Sequence, residues 1–140
     1  MSRFLAHRLE HRRPNRRRLT QTLGSIHGFA ARALLAYAVV LGIWGTYKYF
    51  RNHELGGGFR ASFLIMAVLT AVQGLLGLAA FVLGGRPSVL LHIVYGIFAV
   101  LFLPGAYLYA QNGPRRREAV ILAGAAWIVS IAFLRGINTA

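Results

Sequence analysis

Four stretches of this chain run almost without charge: about residues 24–46, 61–84, 88–110 and 119–137. Each is close to or above the roughly 20 apolar residues that a helix needs to cross a hydrocarbon core. None alternates apolar and polar positions at period two with turn signals every ten residues, so the pattern does not predict a barrel. Helices are then the remaining way to satisfy the backbone in lipid. The expected fold is all-α, an integral membrane four-helix bundle, with residues 1–20 as a basic N-terminal tail and 21–140 as the four-helix transmembrane domain. The first apolar run is expected to be a retained span and not a signal peptide, because more than 20 mostly polar residues precede it and it exceeds the usual apolar signal core.

Composition agrees with the pattern. Of 140 residues, 56% are hydrophobic and only three are acidic, and the mean hydropathy is +0.54. Cysteine is absent, which removes disulfides, thiolate metal sites, c-type haem attachment and cysteine nucleophiles from consideration.

Charge is concentrated at the ends of the spans. The tail MSRFLAHRLEHRRPNRRRLT holds seven arginines and two histidines against Glu10. On a four-span chain this fits an anionic lipid or an acidic protein surface, and nothing in it supplies base-reading elements for nucleic acid. Phe4, Leu5 and Leu9 predict a short interfacial helix over residues 2–12, ending before Pro14. The first connection, TYKYFRNHELGGGFR, pairs an aromatic belt with basic residues and a flexible GGG. GGRPS makes spans 2 and 3 an antiparallel hairpin. QNGPRRRE ends span 3 and places Arg115, Arg116 and Arg117 in a loop. Counting bases with the N-terminus inside gives nine (the seven tail arginines, Arg86 and Arg135) against six outside, whereas the loops alone give two against six. The difficulty of translocating a seven-arginine tail favours the N-terminus inside, in a bacterial inner (cytoplasmic) membrane.

Ionisable or strongly polar side chains within the spans are costly enough to need an account. They are His27 and Arg32 in span 1, Gln73 in span 2 and His92 in span 3. Spans 1 and 3 run in the same direction. His27 lies about three residues inside the first and His92 about four inside the third, so at about 1.5 Å per residue the two imidazoles come to similar depths. Such a pair can hold a haem iron from both faces. Gly28 beside His27 and Gly96 one turn after His92 leave clearance for a flat macrocycle, as do Ala30, Ala31 and Ala99. Arg86, just outside span 3, and Arg32 are candidate partners for haem propionates. Plainer readings stay open. Each histidine can be an interfacial residue bonded to a carbonyl, Gly24 and Gly28 form a GxxxG that serves helix packing, and Gln73 suits interhelical hydrogen bonding. Tyr95, Trp44 and Trp127 read as packing or interface anchors more than as an electron path.

The order of residues in LTAVQGLLGLAAFVLGGRPSVLLHIVYG, with a Gln and LLG in one span, a short hairpin and a His just inside the next, resembles the haem A synthase family. The stretch IHGFAARALLAYAVV looks like that family's other ligand helix. The likeness covers about residues 24–137 and corresponds to one of the family's two four-helix halves. It implies that His27 and His92 are axial ligands of haem. The chain departs from the family at Gly24, where an acid would stand one turn before the first histidine, and in lacking the loop cysteines and the second half. Those departures give no ground for carrying over the family's catalysis, so the chain is not expected to be an enzyme by itself.

The expected function is therefore that of a small membrane cytochrome b-like protein. It would bind one haem b and carry electrons, alone or as a subunit of a respiratory or photosynthetic complex. The expected assembly is a homodimer or a larger membrane complex. The alternatives are a haem-free accessory or assembly subunit and a chlorophyll-binding subunit using one histidine per pigment.

Overall fold

The computed structural model describes residues 2–83 and 90–139, with side chains from Arg18 onward. Four helices follow one another: α1 (Ser2–Phe50), α2 (Gly57–Val82), α3 (Leu90–Gln111) and α4 (Arg115–Asn138). All four are long and apolar enough to cross a membrane, α1 through its segment Arg18–Phe50. No strand occurs among the described residues. The all-α four-helix architecture read from the hydropathy pattern is the one observed.

α1, α2 and α4 are longer than their apolar runs, for reasons found at their ends. α1 continues past Pro14 and on to Phe50. One missing backbone donor does not outweigh the helix-favouring arginines and leucines around it, so the expected break at Pro14 does not form. At its far end α1 is closed by His53 N–H donating to the Lys48 carbonyl (3.0 Å) and Asn52 N–H to Tyr49 (3.2 Å). Asn52 adopts a φ of 53°, the left-handed residue that this paired closure requires. Leu55 then turns inward and is buried. The GGG expected to be flexible is instead built into α2, with Gly56 as its N-cap and Gly57 and Gly58 in its first turn. Pro114, extended at φ −62° and ψ 151°, caps α4, and its carbonyl accepts from Arg117 (2.8 Å) and Glu118 (3.1 Å). The three arginines expected in a loop thus form the first turn of α4.

The helices pack in a ring, α1 beside α2, α2 beside α3, α3 beside α4 and α4 beside α1, the last contact being the most extensive. Two glycines set that closeness. A Cβ on Gly42 would lie 2.9 Å from the Trp127 ring, and one on Gly45 would lie 2.8 Å from the Ala123 Cβ. The GxxxG of Gly24 and Gly28 makes no such contact among the described residues of the chain, since a Cβ at either would meet nothing within 4 Å. Around the Gly42 and Gly45 contact, Leu41, Phe59, Phe63, Met66, Leu103, Leu122 and Val129 are fully buried.

That core is confined to part of the bundle. The ends of α1 and α3 and the starts of α2 and α4 make one end, called here the turn end. The start of the α1 span, the end of α2, the start of α3 and the end of α4 make the other, the histidine end. Going towards the histidine end, the last buried residues are Leu34 on α1, Gln73 on α2, Ala99 on α3 and Ala132 on α4. Beyond them no described side chain is buried.

Candidate functional site

The two histidines lie just past this limit and come together. His27 on α1 and His92 on α3 have ring centroids 5.7 Å apart, with the ring planes at 60°. These helices stand diagonally across the ring, so the imidazoles meet near the bundle axis. Residues 65 apart in sequence are juxtaposed as matched depth predicts.

All four helices contribute to the pair. His92 Nδ1 is 2.9 Å from the Gly136 carbonyl of α4. A carbonyl only accepts, so Nδ1 carries the proton, and the tautomer this selects has its lone pair at Nε2. Fixing the remote nitrogen in this way is how metal-ligating histidines are oriented. On α2, a Cβ at Gly77 would stand 3.0 Å from His27 Cε1. The absence of a side chain there makes room for the imidazole. Also on α2, Gln73 Nε2 donates to the His27 carbonyl at 2.6 Å, which bears out Gln73 as an interhelical hydrogen-bonding residue. Two buried atoms of the cluster have no hydrogen-bond partner, His27 Nδ1 and Gln73 Oε1.

The other expected site residues are placed as follows. Gly28 is part-exposed and Gly96 exposed, and a Cβ on either would meet nothing within 4 Å. Neither packs against a neighbouring helix, so both border open space near the imidazoles. Arg32 is exposed on α1. Arg86 and the GGRPS connection lie outside the described residues. Sequence reasoning missed Gly77 and the Gly136 carbonyl. A small residue four positions after Gln73 was the available signal for Gly77, and a backbone acceptor leaves none.

The residues fit a bis-histidine tetrapyrrole site on three structural grounds. The ligand pair is diagonal, one ring is oriented by a carbonyl, and the packed interior stops where the pair begins. No group of three or more His, Cys, Asp or Glu side chains suited to a metal ion occurs among the described residues.

A different polar cluster holds the turn end. Arg60 of α2 makes a two-pronged ion pair with Glu118 of α4, Nε to Oε1 at 2.6 Å and Nη2 to Oε2 at 2.7 Å. Glu118 is buried there. Arg115 pairs with Glu54. Comparison with protein families, curated proteins and solved structures finds no match.

Proposed function

We propose that this chain is a small integral membrane cytochrome b-like protein in which His27 and His92 hold one haem b. The observation that carries the reading is the meeting of the two imidazoles across the bundle diagonal, with His92 Nδ1 committed to the Gly136 carbonyl. That hydrogen bond leaves Nε2 available as a ligand. Gln73 ties the His27 turn to α2 and limits its movement. A haem held by His27 and His92 would supply a one-electron couple. The protein's part is to orient the rings and exclude water from one face, with Arg32 and Arg86 as propionate partners.

In this reading the chain resembles one half of a haem A synthase without its catalysis. It carries electrons alone or within a larger respiratory or photosynthetic complex, and a homodimer would restore an eight-helix unit. The arginine-rich N-terminus faces the cytoplasm of a bacterium, nine bases against six. There it meets anionic lipid or an acidic protein surface.

The test is a reduced-minus-oxidised spectrum of the purified protein. A low-spin b-type band at one haem per chain, lost in both His27→Ala and His92→Ala, is expected. A colourless protein would sink the proposal in favour of a haem-free accessory subunit, far-red absorbance would replace it with chlorophyll binding, and more than one haem per chain would contradict the two-ligand arrangement.

A further inference from the structure

The turn end holds a second site, independent of the histidine pair. Between the last turn of α1, the 51–56 turn and the first turn of α4 lies a half-open cavity of about 210 Å³, bordered by Tyr49, Asn52, His53, Glu54, Arg115 and Arg116. Six basic residues gather at this end (Lys48, Arg51, Arg60, Arg115, Arg116 and Arg117) against two acids. Both acids are engaged, Glu118 by Arg60 and Glu54 by Arg115. Among the described residues the Arg116 guanidinium meets no carboxylate. It lies over the Tyr49 ring, 5.2 Å from its centroid, and its Nη2 reaches the Tyr49 hydroxyl at 3.4 Å. Arg51 lies over Tyr47 at 5.8 Å and Arg117 over Tyr109 at 4.7 Å. The aromatic faces hold these cations in place without neutralising them.

The arrangement is electrostatically unfinished. Arg115, Arg116 and Arg117 share the first turn of α4 with one acid, Glu118, which is taken by Arg60, and the positive end of the helix dipole there disfavours further positive charge. Glu54 answers Arg115 alone, and an anion in the cavity would answer Arg116 and the helix end together. Its location names the source. The cavity sits where α1 ends and α4 begins, beside Tyr47, Tyr49, Phe50 and Tyr109, aromatic residues of the kind that occupy headgroup level. We propose that this cavity binds the phosphate headgroup of an anionic phospholipid, with Arg115 and Arg116 as its principal contacts.

The full-length protein, delipidated in detergent, is titrated with phosphatidylglycerol or phosphatidylcholine, and bound lipids are counted by native mass spectrometry. The same titration is run with the tail arginines changed to glutamine, so that the opposite end does not contribute. We expect one phosphatidylglycerol per chain that phosphatidylcholine does not replace. Its affinity should fall roughly 25-fold in Arg115→Gln/Arg116→Gln, about fivefold per arginine, and stay within about threefold of the starting value in Arg115→Lys/Arg116→Lys and in Arg135→Gln. Unchanged binding in the double glutamine variant, equal binding of phosphatidylcholine, or an equal loss in the lysine variant would overturn the proposal. Displacement of the lipid by about 10 mM inorganic phosphate would assign the cavity to a soluble anion and overturn the lipid source.

Discussion

The two ends of this bundle are held together by different means. At the turn end, helices are locked by side chains. Arg60 grips Glu118, Trp127 lies on Gly42 and donates to the Thr46 hydroxyl at 3.1 Å, and Trp44 meets Phe59 edge-on at 5.3 Å. At the histidine end the hydrogen bonds described between helices use backbone carbonyls, those of His27 and Gly136, and no described side chain is buried beyond Leu34, Gln73, Ala99 and Ala132. The contrast separates two tasks. One end supplies the packing that fixes the four helices, and the other brings polar groups to the axis with little around them to fill the space. A bundle built this way can accept a planar group at one end without dismantling its core.

Breaking the turn end should have the larger effects. Arg60→Ala strands the buried Glu118 carboxylate and is expected to cost about 3 kcal/mol, read from unfolding in detergent. Glu118→Ala should cost only about 1 kcal/mol, because Arg60, with 45% of its side chain exposed, can turn towards headgroups. Equal losses in the two variants would remove the asymmetry. Gly45→Ala forces a Cβ against Ala123 and should cost roughly 1–3 kcal/mol. The same change in Gly28, at the open end, should gain up to about 1 kcal/mol, since only helix propensity changes. A loss there would mean that the histidine end is packed after all. The smallest effect is expected for Gln73→Leu, within about 1 kcal/mol, because the lost hydrogen bond is offset by removing an unpartnered buried oxygen. Its checkable signature is a broadened His27 imidazole resonance by NMR, with His92 unchanged.

The fold was legible because hydrocarbon imposes a simple rule on length and polarity. Matched depth was enough to pair His27 with His92, since parallel spans put equal distances from their starts at equal heights. The same argument applies to Arg60 and Glu118, each the fourth residue of a helix that starts at the same end. They went unpaired in the sequence because both read as flanking loop charges. The extents of α1, α2 and α4 were underestimated for a related reason. Hydropathy marks where lipid begins, whereas helices end where Asn52 and Pro114 supply closing and capping geometry. Which glycines pack closely within the bundle was not legible either. Gly24 and Gly28 have the motif spacing, but Gly42 and Gly45 meet the large side chains of α4 and α2, and that depends on which helix faces which.

The Arg60–Glu118 pair has a consequence for the order in which the protein is made. Its members stand 58 residues apart, so at about 5–20 residues per second Arg60 is synthesised roughly 3–12 s before its partner. During that interval Arg60 lacks the carboxylate that it grips in the folded bundle. Placement in the first turn of α2, within reach of water, lets the guanidinium wait at the surface. The arrival of α4 then closes the ring, and a charge that had served as a stop at the membrane boundary becomes a clasp between the second and the last helix.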